Sequence, residues 1–279
     1  MTQETQKKNT FGQYQLNGWR ASLLDLSQST PANWFGRRAS LILRKIILKS
    51  SNHNTIDATV DGIKLRCHVR DNISERKFLF MPQFCDPVER DLINRYLPQD
   101  GVFLDIGANA GIYSLTAAKR LNDTGRVLSI EPNPEVLKRL EHNLKINKFS
   151  QRAIIEPIGI SDSEGSFSLL LDDSNLGGSS LVTKRSETGG EINVRCYPLL
   201  TVLQKNKISH VDFMKIDIEG AEEQALMPFF NTAPTKLFPH YIIIENSIDS
   251  WESDLIGFIK AKGYRVFQTT RMNLILKRL

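Results

Sequence analysis

Three charged side chains occupy alternate positions in an otherwise apolar stretch, DFMKIDIEGAEE at residues 212–223. Lys215, Asp217 and Glu219 would share one face if the whole stretch were a β-strand. Three charges on one face are costly to bury unless they are paired or used. Either carboxylate could remove a proton from a hydroxyl nucleophile, and the lysine could neutralise the pair or orient a substrate. The alternative is a structural lysine–carboxylate pair, with Glu219 stabilising the N-terminus of the next helix.

A glycine-rich turn follows a second apolar stretch, VFLDIGANAG at residues 102–111. Gly107 and Gly111 allow the backbone to turn tightly and to approach a ligand closely. In an open parallel sheet, ligands bind beyond the carboxyl ends of the strands. Asp105 lies at the predicted end of this strand, where it can accept hydrogen bonds from a ligand amine or from the loop. On its own, such a turn is a weak signal of a binding site.

An acidic residue at the end of the next predicted strand strengthens this signal. Glu131 ends the stretch VLSIE, 20 residues after Gly111, where an acid can bind the ribose hydroxyls of an adenosine-containing cofactor. The alternative is a surface or helix-capping acid. A dinucleotide and S-adenosylmethionine both fit this acid. Asp105 would repel a pyrophosphate but attract an ammonium group, and Asn109 replaces a second close-approach glycine, so the turn favours a cofactor with a cationic amino-acid end.

Alternating strands and helices must bring these groups to one edge of a sheet. Such alternation indicates a parallel sheet that is covered by helices and has right-handed crossovers. The last two strands are joined only by residues 269–272, so they must pair antiparallel. A helix over residues 87–98 is predicted to begin with a capping box formed by Asp86 and Glu89. The predicted strands are VFLDIG, GRVLSIEP, AIIEPIGI, HVDFMKID, YIIIEN, YRVFQ and NLILK.

Two regions lie outside this alternation. Residues 55–69 alternate around an Asp-Gly pair, which predicts a hairpin. Residues 161–200 contain two predicted strands that flank a polar loop rich in glycine and serine. Because long loops near the carboxyl ends of parallel strands often bind ligands, this insertion is either a substrate lid or an exposed hairpin.

Positive charge is concentrated at the N-terminus. The chain of 279 residues has a net charge of +5, yet residues 1–55 alone hold eight Lys or Arg against two acids. The remainder is nearly neutral, so nucleic-acid binding is not expected. Residues 1–36 are predicted to be loosely structured. Residues 36–50, GRRASLILRKIILKS, form a basic helix that either packs on the main domain or makes peripheral contact with an anionic membrane.

The cysteines and the hydropathy pattern bear on the cellular compartment. Cys67, Cys85 and Cys196 are few, odd in number and far apart, which indicates reduced thiols. No apolar run of about 18 residues is present, so no transmembrane helix is expected. The prediction is a cytoplasmic protein, with contact at the inner membrane face if residues 36–50 lie on lipid.

Four motifs taken together resemble the FkbM family of S-adenosylmethionine-dependent methyltransferases. They are LDIGANAGIYSL, IEPNP, GISDSEGSFSL and FMKIDIEGAE, and the resemblance covers roughly residues 57–250. It implies an α/β class I methyltransferase fold, Rossmann-like, with a seven-stranded mostly parallel sheet whose last strand is antiparallel. It also implies methyl transfer to a hydroxyl of a sugar, glycan or secondary metabolite. The predicted domains are a basic extension, 1–55, and a methyltransferase domain, 56–279.

The resemblance assigns roles to individual residues. The methionine end of S-adenosylmethionine would be held by Asp105, Gly107, Asn109 and Gly111. Glu131 would hold the ribose, with Asn133 beside it, and Ser161 and Asp162 would lie near the adenine. A turn-forming role is the alternative for Asp162. The candidate catalytic residues are Asp217, Glu219 and Lys215, with Glu245 as a weaker candidate at a neighbouring strand end.

Two other functions are left open by the residues. A nicotinamide-dependent oxidoreductase could use the same fold, although the Asp105 turn and the reversed last strand disfavour it. A non-catalytic cofactor-binding scaffold is the second alternative, and the charges in KIDIEG count against it. No metal site is predicted, because no histidine or third acid is placed near Asp217 and Glu219 by the sequence.

Overall fold

A seven-stranded sheet forms the centre of the computed structural model, which describes residues 10–51, 53–170, 176, 180–181, 190–248 and 251–279. Its strand order is β12-β13-β11-β10-β3-β4-β5. The strands are β3 (Val102–Ile106), β4 (Arg126–Ile130), β5 (Ala153–Glu156), β10 (Phe213–Ile216), β11 (Tyr241–Glu245), β12 (Tyr264–Thr269) and β13 (Asn273–Arg278). The pairs from β11 to β5 are all parallel. β13 runs antiparallel to both β11 and β12, which confirms the predicted reversed last strand.

Helices cover both faces of this sheet, so the strands are buried on both sides. Phe103 packs in one core cluster and its neighbour Leu104 packs in the other. Such alternation follows from the two-residue period of a strand. The first face carries α4 (Pro87–Tyr96), α5 (Ile112–Arg120) and α6 (Pro134–Ile146). The second face carries α7 (Leu199–Lys205), α8 (Glu222–Thr232) and α9 (Leu255–Ala261).

The N-terminal segment packs against the first face of the sheet. It contains α1 (Trp19–Gln28), α2 (Trp34–Ser50), the hairpin strands β1 (Thr55–Val60) and β2 (Ile63–His68), and α3 (Ile73–Phe80). Leu24 of α1 and Ile47 of α2 are buried in the same core cluster as the sheet. The hairpin is therefore confirmed, whereas the expectation of a loose segment is wrong for residues 10–36. The proposed division at residue 55 stays a prediction.

A buried ion pair fixes the start of the described chain to the hairpin. Asp57 accepts from Nε of Arg66 at 2.8 Å and from the backbone N–H groups of Gly12 and Tyr14 at 2.8 and 3.2 Å. The Arg66 guanidinium also lies over the Tyr14 ring. Because both side chains are buried, removing either partner would leave an uncompensated buried charge.

Two predicted strands end earlier than the sequence indicates. AIIEPIGI is divided into β5 and the short β6 (Gly159–Ile160), which belong to different sheets. Pro157 lies between them and lacks the N–H that a continuing ladder requires. β10 ends at Ile216, so Asp217 and Glu219 lie in the loop after the strand and not on its face.

The insertion forms a separate small sheet with the order β6-β9-β7-β8. β7 (Gly165–Leu170) pairs antiparallel with β9 (Glu191–Tyr197), and β8 (Ser180–Leu181) pairs with β7. The sequence left two interpretations of this insertion, a substrate lid and an exposed hairpin. Most of the loop between β7 and β9 lies outside the described residues. The choice between the two stays open.

Candidate functional site

A cavity of about 290 Å³ opens beyond the carboxyl ends of β3, β4, β10 and β11. This is the edge where an open parallel sheet binds ligands. Its walls combine charged groups with apolar side chains. Its lining residues include Lys77, Asp86, Gly107, Asn109, Tyr113, Ile130, Glu131, Ile158, Ile160, Leu169, Lys215, Asp217, Glu219 and Glu245.

The turn after β3 lies in direct contact with the end of β10. Gly107 has a φ of 75°, and a Cβ atom there would lie 1.9 Å from the carbonyl oxygen of Asp217. Only glycine therefore permits the two strand ends to approach this closely. The N–H groups of Gly107 and Ala108 both donate to the Ile130 carbonyl at 3.0 Å. Gly111, at a φ of 94°, begins α5.

Glu131 is held at the cavity wall by backbone hydrogen bonds. Its two carboxylate oxygens accept from the N–H of Asn109 at 2.8 Å and the N–H of Asn133 at 2.9 Å. The residue is 8% exposed, and burial raises the pKa of its carboxyl to about 7 against the lowering effect of these two bonds. The geometry fixes the carboxylate as an acceptor for hydroxyl groups in the cavity.

Asp105 lies beneath the cavity and does not line it. Its side chain is fully buried, with Oδ2 accepting from the Ser114 hydroxyl at 2.6 Å. Oδ1 has no hydrogen-bond partner in the part of the chain that the structure describes. Burial raises the pKa of this carboxyl, although the Lys215 ammonium opposes the shift. Asp105 can therefore act on a ligand only indirectly, by stabilising the turn after β3, or directly after a small displacement of its side chain.

The residues predicted to lie near the adenine are at the margin of the cavity. Ser161 is buried and Asp162 is exposed, and neither lines the cavity. The segment before them supplies the apolar wall instead, through Ile158 and Ile160. Asn133 is buried as the N-cap of α6, where its side chain accepts from the N–H of Glu135 at 3.0 Å.

Lys215 and Asp217 form an ion pair at the floor of the cavity. The ammonium lies 3.1 Å from Oδ2 of Asp217, donates to the Gly107 carbonyl at 3.2 Å and lies over the Tyr113 ring. Burial acts to lower the pKa of Lys215, but the Asp217 and Asp105 carboxylates outweigh it and the pKa is raised. Lys215 therefore stays protonated and anchors one oxygen of Asp217.

Two further carboxylates lie beside this pair. Glu245, at the end of β11, is half-buried, and burial together with the Asp217 charge raises its pKa to about 7. Glu219 is exposed, and its pKa is raised by partial burial and by Asp217. Glu222, not Glu219, stabilises the loop between β10 and α8, since it accepts from the N–H of Ile218 at 2.9 Å. A carboxyl with a pKa near 7 is poised to accept a proton.

Two cavity residues, Lys77 and Asp86, come from segments that the sequence did not connect with the site. Lys77 of α3 pairs with Asp86 at 3.6 Å, and the Tyr113 hydroxyl donates to Asp86 at 3.2 Å. The predicted capping box is wrong: Asp86 has a φ of 46° and makes no side-chain cap, because its carboxylate turns to these two groups. Glu89 accepts from Thr270 instead of capping the helix.

Three of the six described non-glycine residues with a positive φ line the cavity. Asp86, Asn109 and Glu219 all have positive φ values, 46°, 52° and 54°, and all three line it. A non-glycine residue in this region is uncommon and costs free energy that the surrounding structure must supply. Functional sites are where such strain is commonly found, and Asx residues such as Asp86 and Asn109 tolerate it best.

The residues present fit S-adenosylmethionine. Glu131 presents hydrogen-bond acceptors for ribose hydroxyls, and Ile130, Ile158 and Ile160 offer apolar contact for a purine. The unpartnered oxygen of Asp105 lies under the turn where a cationic amino-acid end is expected. Among the described residues, no three His, Cys, Asp or Glu side chains are grouped as metal ligands.

Curated proteins give two relatives of modest identity. The methyltransferase sdnD of Sordaria araneosa is 27% identical over 226 residues, which cover 69% of this chain and 83% of that protein. The AMB antimetabolite synthetase AmbE of Pseudomonas aeruginosa is 29% identical over 202 residues, 60% of this chain. The match spans only 9% of the length of AmbE.

Solved structures of similar fold include two methyltransferases. The methyltransferase FkbM of Methylobacillus flagellatus is 16% identical with a TM-score of 0.40, covering 73% of this chain and 52% of its own. The O-methyltransferase of Bacillus cereus, solved with SAH, is 16% identical with a TM-score of 0.42, covering 68% of this chain and 80% of its own.

A family model matches more than half of the chain. The methyltransferase FkbM domain aligns with residues 105–266, a range that runs from Asp105 into β12. It contains the turn after β3, Glu131, the Lys215–Asp217 pair and Glu245. The oxidoreductase alternative is therefore removed, and the resemblance found in the sequence is confirmed. The chain belongs to the FkbM family of S-adenosylmethionine-dependent methyltransferases.

Proposed function

We propose that the protein transfers a methyl group from S-adenosylmethionine to a hydroxyl of a small acceptor, either a sugar or glycan or a secondary metabolite. The observation that supports transfer to oxygen is the carboxylate group beyond β10 and β11. Glu245 has a pKa raised to about 7 and lies with Asp217 and Glu219 in the cavity that contains Glu131. A hydroxyl is a poor nucleophile until a base takes its proton, so oxygen transfer gains most from such a group.

The bound cofactor supplies an electrophilic methyl group on a sulfonium, which becomes a neutral thioether when the acceptor oxygen takes the methyl. The protein orients the acceptor and receives the proton that its hydroxyl loses. Lys215 holds Oδ2 of Asp217 and so fixes the position of this carboxylate beside Glu245 and Glu219, which leaves the acceptor hydroxyl free to donate to one of those two. Glu245 or Glu219 then takes the proton to complete the balance. Because methyl transfer is an in-line displacement, positioning supplies much of the rate enhancement.

The cofactor contacts proposed from the sequence divide into direct and supporting roles. Glu131 and Asn109 line the cavity, and we assign them direct contact with the ribose and the methionine end. Gly107 and Gly111 shape the turn, while Asn133 orients Glu131 through its N–H. Asp105, Ser161 and Asp162 do not line the cavity, so we assign them support of its walls. Residues 56–279 are proposed as the catalytic domain.

The name of one relative supports a secondary-metabolite acceptor. AmbE is an antimetabolite synthetase, although the match covers a small part of it. The experiment is an acceptor screen with methyl-labelled S-adenosylmethionine and NMR of the product. We expect a new O–CH₃ signal with a hydroxyl acceptor of the sugar or secondary-metabolite class. Label on nitrogen or carbon alone would contradict oxygen transfer, and binding of the cofactor without transfer to any acceptor would favour the scaffold alternative.

Peripheral membrane contact through α2 is also proposed, since this helix exposes aromatic and aliphatic side chains beside basic ones. Trp34, Phe35 and Ile42 are 63%, 75% and 60% exposed, and the Arg38 guanidinium lies 5.3 Å from the Trp34 ring centroid. Aromatic and cationic side chains together are typical of helices that lie on anionic lipid. No helix among the described residues has the length and apolar character to cross a membrane.

Point substitutions test membrane contact better than truncation would. Deleting residues 1–50 would remove Leu24 and Ile47 from the core, so lost binding could reflect unfolding. We expect the W34S/F35S variant to lose most co-sedimentation with phosphatidylglycerol vesicles, while the exposed control L279S keeps it. Equal binding by all three proteins, or none by the unaltered chain, would remove the proposal.

A further inference from the structure

A second cleft opens directly from the methyl-transfer cavity toward α2. Ile73, Lys77, Asp86 and Met272 line both, so the two spaces are continuous. The cleft lies between α2 and α3 on one side and the β12–β13 turn on the other. One acceptor molecule can therefore reach from the cleft into the cavity.

Arginine side chains dominate the far side of this cleft. Arg37, Arg44 and Arg76 line it, and none of them forms an ion pair with a described carboxylate. The Arg76 guanidinium is fixed by donation to the Val69 carbonyl at 3.3 Å. Arg44 is half-buried, and its pKa is lowered first by burial and then by the neighbouring Arg76 charge. Two guanidinium groups thus lie close together, and no carboxylate of the described residues pairs with either.

The acidic residues of the cleft do not supply that balance. Asp86 is engaged by Lys77 and by the Tyr113 hydroxyl. Glu89 is buried and accepts from the side chains of Thr270 and Asn273. On the opposite side of Arg44 and Arg76, the surface continues as a groove. No acid is found among the described residues that line it, which add further cations: Lys45, Lys49 and Arg70.

We propose that the arginine cleft binds a phosphate or diphosphate group carried by the methyl acceptor, while the acceptor hydroxyl enters the cavity. Arg44 and Arg76 are the principal ligands, and Arg37 is the third. The planar donors of guanidinium groups match phosphate oxygens in bidentate geometry. This inference rests on the proposed function, to which it adds a substrate class: a phosphorylated sugar or metabolite.

Two sources can present this chemistry to the cleft. One is a soluble phosphate ester, and the other is the phosphate of a lipid headgroup at a membrane on which α2 lies. Both would place the phosphate between Arg44 and Arg76. A lipid headgroup requires the protein to bind vesicles through the same arginines, whereas a soluble phosphate ester does not.

The test is calorimetric titration with inorganic pyrophosphate, together with co-sedimentation on phosphatidylglycerol vesicles. The variant is R44Q/R76Q, and the matched control is K236Q/K260Q, which removes the same charge from exposed positions that precede β11 and β12. Two charge-assisted contacts are lost, worth roughly 1.5–3 kcal/mol each, so pyrophosphate affinity should fall by about 100-fold or more in R44Q/R76Q alone. Thermal melts check that both variants are folded.

Each outcome has a defined meaning. Selective loss of pyrophosphate affinity with unchanged vesicle binding supports a soluble phosphate ester. Loss of both, with pyrophosphate displacing vesicles, supports a lipid headgroup. No pyrophosphate binding, or an equal loss in the control, overturns the proposal. Titration of S-adenosylmethionine into the same samples distinguishes failure of the phosphate-binding proposal from failure of the proposed function. If the cofactor binds normally and pyrophosphate does not bind, only phosphate binding by the arginine cleft is refuted. If the cofactor does not bind, the proposed methyl transfer is refuted.

Discussion

Glu131→Ala is expected to lower the affinity for S-adenosylmethionine by about 100-fold or more, since two hydrogen bonds to a charged acceptor are worth roughly 1.5–3 kcal/mol each. The carboxylate is already oriented by the N–H groups of Asn109 and Asn133, so little ordering is needed when the ribose binds. Alanine removes the acceptor and also leaves those two N–H groups without it. Isothermal titration calorimetry on the folded variant measures the loss.

A matched control lies four residues along the chain. Glu135 is in the first turn of α6 and is exposed, and among the described residues its carboxylate pairs only with Lys138 of the same helix. Glu135→Ala removes the same charge from the same region and should leave cofactor affinity within about twofold, as expected for an exposed ion pair. Equal affinities of Glu131→Ala and the unaltered protein would refute the assignment of the ribose to Glu131.

The raised pKa of Glu131 adds a pH dependence with opposite signs for binding and stability. Burial raises this pKa to about 7. Below pH 7 the carboxyl is protonated and accepts ribose hydroxyls poorly, so cofactor affinity should rise as the pH rises through 7. In the free protein the raised pKa has the reverse effect: its contribution to stability is full below about 4.5 and is lost as the pH rises through about 7. Glu131→Gln should abolish both dependences.

The arrangement of the sheet could be predicted because it depends on local signals. The two-residue period places Phe103 and Leu104 on opposite faces, and the short connection before β13 fixes its direction. The same reasoning brings the turn after β3, Glu131 and the Lys215–Asp217 pair to one edge. Parallel neighbours align their carboxyl ends whatever the packing around them.

The rest of the site depends on tertiary packing that no local pattern encodes. Asp86 has the sequence context of a helix cap, yet its carboxylate is turned to Lys77 and Tyr113 from other segments. Asp105 has the position of a ligand-binding acid, yet it is fully buried against Ser114. A side chain at the end of a strand can face either the cavity or the core, and packing against the neighbouring helices determines its direction.

Replacing Glu245 with glutamine is expected to lower kcat by about 100-fold or more while leaving cofactor affinity unchanged, since a general base contributes roughly 10²–10⁴ to the rate. The amide preserves the size of the side chain but cannot take the acceptor proton. The unaltered enzyme should gain activity as the pH rises through about 7, because the raised pKa of Glu245 lies there. The pH–rate profile of the variant should lack this rising limb near pH 7. Glu252→Gln, an exposed acid outside the cavity, is the control.

Asp217→Asn separates the base from the group that tunes it. The Asp217 charge helps to raise the pKa of Glu245, so removing it should move the limb of the pH–rate profile below 7. It also releases one partner of the Lys215 ammonium, which keeps the Gly107 carbonyl. If Glu245 is the base, Asp217→Asn keeps a shifted limb and Glu245→Gln has none. If Asp217→Asn loses the rate while Glu245→Gln retains it, Asp217 is the base and Glu245 only sets the local charge.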